Sequence, residues 1–186
     1  MKKWVTKEEL MNELGLAGEK IIINMLSNLG CKIESSVDKY DSEKDLLADG
    51  KKVEVKTQVP FIMQNAFTFK PNQLRKCRSV DVLYFVSVPA GRHNDKWAGW
   101  IFKADPKTFT TRTYKTKDGR EMILVDREQP ALTPVKKMTD EEIIHKLESY
   151  LEDENKLDVL RKNGYEYSKN YTMKKYAERF FKIIKR

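Results

Sequence analysis

Histidine and cysteine are scarce in this chain of 186 residues, and their scarcity excludes several classes of site. His93 and His145 are the only histidines, too few for a His-centred nuclease, a zinc hydrolase or a Cys/His protease. Cys31 and Cys77 are too few and too far apart in sequence to indicate a metal cluster or a disulfide framework. We therefore expect both cysteines to be small buried hydrophobic residues in a reducing compartment.

The chain also lacks the segments that mark a nucleotide-driven or membrane-bound protein. It has no glycine-rich phosphate loop of the Walker type, so ATP-driven activity is not expected. No apolar run is long enough to span a bilayer, and no amino-terminal apolar run precedes a cleavage site. These absences predict a soluble, cytoplasmic protein with no membrane partner.

Positive charge is what the chain has in excess. Lys and Arg number 36 against 28 Asp and Glu, which gives a net charge of +8 and favours a polyanionic partner. Residues 1–138 carry a net +7, residues 139–160 a net −6 and residues 161–186 a net +7. The basic end segment is either a surface that follows phosphates or a helix face that pairs with the acidic segment before it.

Residues 45–58 have the pattern of a β-hairpin with one polar face. The dipeptide Asp49-Gly50 is a strong two-residue turn signal between two strand-like runs. Because side chains alternate along a strand, the valines of the second strand point to one face. The other face receives Glu54, Lys56 and Gln58. This polar face is either solvated, as in most one-sided strands, or a site to which Asp45 adds a second carboxylate.

Glu19 favours the second of these two interpretations. It lies in a helical segment over residues 15–30, and Ile22, Ile23 and Leu26 share its face at spacings of three, four and seven residues. A carboxylate on a core-facing stripe is costly unless it is paired, protonated or bound to metal. Glu19 reaches solvent at the margin of the stripe, pairs with a lysine, or joins the carboxylates of the hairpin, and the hairpin favours the last interpretation.

The order of these motifs resembles the PD-(D/E)XK nuclease superfamily. The likeness rests on Gly-x-x-Gly-Glu in the first helix and on Asp-x-x-x-x-Gly-Lys-Lys-Val-Glu-Val-Lys-Thr in the hairpin, and it covers roughly residues 7–104. Within the superfamily, the chain is most similar to small restriction-endonuclease-like and Holliday-junction-resolvase-like proteins. The resemblance implies an α/β fold with an αβββαβ core and a mixed central sheet. The proline that names the motif is missing, because Lys44 precedes Asp45.

The resemblance also implies a catalytic set, consisting of Glu19, Asp45, Glu54, Lys56 and Gln58. Asp45 and Glu54 would bind Mg²⁺, with Mn²⁺ as a substitute, and the Val55 carbonyl would be a third ligand. Glu19 would bind a second metal ion or reach the first through water. Lys56 would orient the attacking water or stabilise charge on the phosphate. The residues expected to contact nucleic acid are Lys70, Gln73, Arg75, Lys162, Lys169, Lys174 and Lys175.

Three segments are predicted from the pattern of the whole chain. A nuclease domain covers residues 1–129, a linker with Pro130 and Pro134 covers residues 130–138, and a helical hairpin covers residues 139–186. In the first segment we expect a helix to about Leu29 with a break near Gly15, and strands over 32–34, 66–69, 81–88 and 97–103. A helix begins at Pro71, and a second hairpin covers 114–126.

The sequence therefore predicts a magnesium-dependent DNA endonuclease. Two alternatives stay open: a nucleic-acid-binding protein that keeps the fold without cutting, and a nuclease-fold subunit that acts through a protein partner at its carboxy-terminal helices. Cleavage of both strands of a duplex often needs two sites, so a homodimer is a further expectation.

Overall fold

The structure is a computed structural model that describes residues 7–35, 44–89 and 95–139. Two predictions fall outside the described residues: the helical hairpin over 139–186, apart from residue 139, and its four lysines at positions 162, 169, 174 and 175. The compact unit that carries the candidate site spans Met11–Ile143. Within the described residues, no helix is long and apolar enough to cross a membrane.

A six-stranded mixed sheet is the centre of the fold. Its strands are β1 (Ile33–Ser35), β2 (Leu46–Ala48), β3 (Lys51–Gln58), β5 (Val82–Ser87), β6 (Trp100–Ala104) and β9 (Leu132–Lys137), in the order β1-β2-β3-β5-β6-β9. Strands β3 and β5 are parallel, and every other neighbouring pair is antiparallel. The parallel pair requires a crossover, which contains helix α2 (Pro71–Ser79). The predicted α/β class with a mixed sheet is confirmed.

A second, three-stranded antiparallel sheet packs beside the first. It contains β4 (Ala66–Phe69), β7 (Arg112–Lys115) and β8 (Glu121–Asp126) in the order β4-β8-β7. The hairpin expected over 114–126 is therefore present, and it recruits β4 from the connection between β3 and α2. A short 3-10 helix, Ile62–Gln64, precedes β4.

Helix α1 (Lys7–Asn28) is continuous, so the break expected near Gly15 does not occur. It ends where the sequence predicts, because Gly30 adopts the left-handed conformation with φ of 84°. The Gly30 amide donates to the Ser27 carbonyl at 2.9 Å, and the Cys31 amide donates to the Leu26 carbonyl at 3.1 Å. These are the two hydrogen bonds of a Schellman motif. They supply donors to carbonyl groups of the last turn that have no partner inside the helix.

The central sheet is covered on both faces, which explains why β5 is almost entirely apolar. On one face, Ile22 and Leu26 of α1 pack against Val53 and Val55 of β3. On the other face, Phe85 of β5 and Phe102 of β6 pack with Phe67 and Phe69 of β4 and with Cys77 of α2. Glu54 and Lys56 alternate with the valines of β3, so they point toward the α2 side.

The linker predicted over 130–138 is wrong, because this segment contains strand β9. Leu132–Lys137 pairs with β6 in antiparallel register, and Pro134 lies opposite Phe102 beside a register shift. Proline lacks an amide donor, and an edge strand tolerates it because one side of the strand needs no partner. β9 is that edge strand, so the fold continues past the predicted domain boundary at residue 129.

Candidate functional site

A tight hairpin between β2 and β3 places the first carboxylate. Asp49 and Gly50 have φ values of 49° and 76°, and two consecutive positive φ angles characterise a type I′ turn. Its register pairs Leu46 with Val53 and Ala48 with Lys51. The hairpin predicted from the Asp-Gly signal is therefore confirmed, and Asp45 lies immediately before β2.

Asp45 is fixed between β3 and α2 by both of its carboxylate oxygens. Its Oδ2 accepts a hydrogen bond of 2.7 Å from the Val55 amide, and its Oδ1 accepts one of 2.8 Å from Lys76 Nζ. The side chain is only 14% exposed. The Val55 amide thus contributes to the site by holding Asp45, while the Val55 side chain packs in the core on the opposite face.

Glu54 is the residue of the site whose charge costs the most free energy of desolvation, because its side chain is fully buried. Lys56 Nζ contacts its Oε1, and Lys76 Nζ lies 2.8 Å from its Oε2. Oε2 therefore has the Lys76 ammonium as its ion-pair partner, although no hydrogen bond of good geometry reaches it from the described residues. Burial raises the pKa of the Glu54 carboxyl, and the Lys56 ammonium offsets only part of that effect.

Glu19 is half-buried on α1, and its electrostatic environment connects it with the hairpin carboxylates. Burial raises the pKa of Glu19, and the negative charges of Asp45 and Glu54 raise it further. The ammonium groups of Lys76 and Lys56 oppose this rise. Three carboxylates and two lysines therefore share one partly desolvated region, as the helical stripe predicts for Glu19.

A close approach between α1 and β3 brings Glu19 to this region. A β-carbon built on Gly18 would lie 1.6 Å from Thr57 Oγ1, so only glycine fits there. A β-carbon on Gly15, one turn earlier, would meet nothing within 4 Å. The second glycine of the Gly-x-x-Gly-Glu motif therefore serves helix–strand packing, and it places the next residue, Glu19, near the hairpin.

Lys76 is the residue of this site that the sequence analysis missed. Its ammonium pairs with both Asp45 and Glu54 from the last turns of α2, and its side chain is 20% exposed. Burial alone would lower the pKa of Lys76, but the two carboxylates outweigh burial and raise it. The available signal is helical spacing, because Lys76 is three residues after Gln73, which the sequence predicts to contact nucleic acid.

The remaining predicted residues have different surroundings. Gln58 holds the two sheets together: its Oε1 accepts a hydrogen bond of 2.8 Å from the Thr68 amide, and its Nε2 donates one of 3.2 Å to the Thr68 carbonyl. Gln73 Oε1 accepts from the Lys70 amide at 3.1 Å, so it caps the start of α2. The side chains of Lys70, Gln73 and Arg75 are all exposed.

Cys77 adjoins the site without being reactive. It is fully buried in the cluster on the α2 side, as the sequence predicts for a small hydrophobic residue. Burial raises the pKa of its thiol to about 12, because the apolar surroundings penalise the thiolate. The sulfur therefore stays protonated at neutral pH.

The donor chemistry fits a hard divalent cation. Asp45 and Glu54 supply carboxylate oxygens, and the buried Oε2 of Glu54 lacks an aligned donor among the described residues. Within those residues, no group of three or more His, Cys, Asp or Glu side chains has the spacing of a metal centre. Mg²⁺ needs only one or two carboxylates together with substrate phosphate and water, so Asp45 and Glu54 are the residues that could hold it.

Comparisons with protein-family models, curated proteins and solved structures gave no match for this chain. The interpretation of the site therefore rests on its own residues. An open groove of about 930 Å³ lies elsewhere on the molecule, lined by residues that include Lys51, Asp81, Lys103 and Asp105. None of the five charged residues of the candidate site lines this groove.

Proposed function

We propose that this protein is a magnesium-dependent nuclease that hydrolyses phosphodiester bonds in DNA and acts as an endonuclease. The observation that carries the proposal is the convergence of Asp45, fully buried Glu54 and Lys56 at one face of β3. Burying a carboxylate costs several kcal/mol before compensation. Clusters with such costs and perturbed pKa values are concentrated at functional sites.

The order of elements supports a restriction-endonuclease-like core. Helix α1, strands β1 to β3, helix α2 and strand β5 follow one another in the αβββαβ order of the PD-(D/E)XK resemblance, with β4 inserted between β3 and α2. Glu54 lies on β3, a central strand of the mixed sheet, and Asp45 immediately precedes the neighbouring strand β2. In this proposal the hairpin is the motif that would hold the cation.

The carboxylates and the lysine of the site would have different roles in hydrolysis. Asp45 and Glu54 would hold Mg²⁺, or Mn²⁺ in its place, which when bound lowers the pKa of water and neutralises charge on the phosphate. The Lys56 ammonium, held at Glu54, would orient the attacking water or stabilise charge on the phosphate. Glu19 would add a third carboxylate near the two ligands.

The charge of the chain agrees with a nucleic-acid substrate. The net charge is +8, and Lys70 and Arg75 are exposed at the helix that also carries Lys76. Contacts from such residues to phosphates give an affinity that falls as salt concentration rises. The four lysines expected to bind nucleic acid in the carboxy-terminal segment remain a prediction.

Cleavage of labelled supercoiled, linear, branched and single-stranded DNA tests the proposal. Wild type is compared with Glu54→Gln and Lys56→Ala, with Mg²⁺, Mn²⁺ or EDTA present. Lys103→Ala is the control, because Lys103 is an exposed lysine of β6 outside the candidate site. We expect metal-dependent cutting that Glu54→Gln and Lys56→Ala reduce at least roughly a hundredfold and the control leaves unchanged. Cutting that survives both substitutions would contradict the proposed site.

A second function is favoured by one observation. Asp45 and Glu54 are both already paired with lysine, so their charges are compensated without a cation, which suits a protein that binds nucleic acid without cutting it. Salt-dependent DNA binding without cleavage of any substrate would favour this non-cleaving binder.

A homodimer and a protein partner at the carboxy-terminal helices also remain proposals. Sedimentation with and without residues 139–186 would test them.

A further inference from the structure

Lys76 contacts the two carboxylate oxygens that the proposed cation would need. Its Nζ lies 2.8 Å from Asp45 Oδ1 and 2.8 Å from Glu54 Oε2. Lys56 differs in this respect, since it pairs with Glu54 through the other oxygen, Oε1. One ammonium therefore pairs with both carboxylates, that of Asp45 immediately before β2 and that of Glu54 on β3.

That ammonium lies where a cation held by the same two oxygens could bind. Magnesium–oxygen distances are about 2.1 Å, so a cation replacing Nζ would require each oxygen to move inward by only about 0.7 Å. An ammonium and a divalent cation cannot occupy the same point. A cation that binds both oxygens from the space that Nζ now fills would therefore displace Lys76.

The surroundings of Lys76 allow its side chain to move while the backbone stays in place. The next residue, Cys77, is fully buried, and the Arg78 guanidinium donates to the Pro106 carbonyl at 3.0 Å while lying 3.7 Å above the Phe109 ring. These contacts anchor the end of α2. The lysine side chain itself has four rotatable carbon–carbon bonds and is 20% exposed, so it can turn toward solvent.

We propose that Lys76 is a built-in competitor of the divalent cation. Its ammonium holds Asp45 and Glu54 in position, and the cation binds only when the Lys76 side chain swings away. This inference rests on the proposed metal-dependent function and adds a residue that sets the metal affinity. Lys76 is thus a positioning residue, whose removal should strengthen cation binding.

Mn²⁺ binding measured by calorimetry and electron paramagnetic resonance tests this role. We expect Lys76→Gln to bind Mn²⁺ roughly tenfold or more tightly than wild type, since one competing charge is gone. Lys103→Gln removes the same charge from an exposed site on β6 and should bind as wild type does, which controls for net charge. Equal or weaker binding by Lys76→Gln than by wild type would overturn the inference. Failure of both folded wild type and folded Lys76→Gln to bind millimolar Mn²⁺ would contradict the metal-dependent function itself.

Lysine acetylation of the wild-type protein keeps the test independent of how well the variant folds. Paired with two carboxylates, the Lys76 amine should react slowly, and saturating Mg²⁺ should raise its labelling several-fold by releasing it. Exposed Lys103 should be labelled equally with and without Mg²⁺. Labelling of Lys76 that stays the same or falls when Mn²⁺ or Mg²⁺ is bound would overturn the inference.

Discussion

Gly18 of α1 and Thr57 of β3 approach so closely that no β-carbon fits between them, because it would lie 1.6 Å from Thr57 Oγ1. The contact connects helix–strand packing to the candidate site, since Glu19 follows Gly18 and Thr57 lies between Lys56 and Gln58. The Thr57 hydroxyl is buried and has no hydrogen-bond partner among the described residues. Its place in the structure is thus determined by packing.

Gly18→Ala should therefore destabilise the protein, whereas Gly15→Ala should not. Overpacking at position 18 is expected to cost about 1–3 kcal/mol, because the helix must move away from β3. The same substitution at position 15 has open space and should stabilise the helix by up to about 1 kcal/mol. Urea denaturation of the two variants measures this contrast. Equal effects at the two positions would show that the close approach is not maintained in solution.

Glu19→Gln should make stability less dependent on pH. Burial, Asp45 and Glu54 raise the pKa of Glu19 above its ordinary value of 4.5, so the folded chain binds this proton more tightly than the unfolded chain does. The contribution of the Glu19 proton to the free energy of unfolding is therefore fully present below pH 4.5. It is lost as the pH rises through the raised pKa of the folded chain. Gln keeps the shape and removes the charge, so the variant should be more stable than wild type at pH 7. Denaturation from pH 4 to 8 measures both curves, and parallel curves would contradict the assignment.

Gln58→Ala should cost stability because both ends of its side-chain amide bind the Thr68 backbone. The Thr68 amide and carbonyl would each lose a partner in a partly buried place, at a cost of about 1–3 kcal/mol. Thermal denaturation followed by circular dichroism measures the loss. Gln73→Ala is the comparison, since Gln73 caps an exposed helix end and should cost about 1 kcal/mol or less. A smaller loss at position 58 than at 73 would argue against the role of Gln58 in joining the sheets.

Arg127→Met should be among the most destabilising substitutions in the described residues. The Arg127 guanidinium is 2% exposed and forms two hydrogen bonds, of 2.8 and 2.9 Å, with Asp95. Removing it leaves a buried carboxylate without its partner, which costs about 3–5 kcal/mol. Arg120→Met breaks the ion pair between Arg120 and Asp118. The Arg120 side chain is 78% exposed and the Asp118 side chain is 55% exposed. That surface pair should contribute at most about 1 kcal/mol, so urea midpoints of the two variants should differ clearly.

Local patterns account for the parts of the fold that were predicted correctly. Positive φ at Asp49 and Gly50 follows from the residue types themselves, and strand alternation then determines that Glu54 and Lys56 share a face. Strand β4 and the start of α2 at Pro71 were also located by local signals. Such signals need only neighbouring residues, so sequence contains them fully.

The wrong predictions concern contacts between distant residues. Pro130 and Pro134 indicated a linker, because proline disfavours strands in general, but only the sheet topology shows that β9 is an edge strand. Gly15 suggested a helix break, whereas packing of α1 on the sheet keeps the helix continuous.

The sequence by itself determined the hairpin, the polar face of β3, the glycine end of α1 and the excess of positive charge. Only the tertiary structure decided that Lys76 pairs with Asp45, 31 residues away, and that Gln58 binds Thr68. The physical reason is that side-chain alternation and turn conformation are properties of adjacent residues. Burial and ion pairing arise from elements that meet in space, and here α2 meets β3 because the parallel β3–β5 pair requires a crossover that carries this helix.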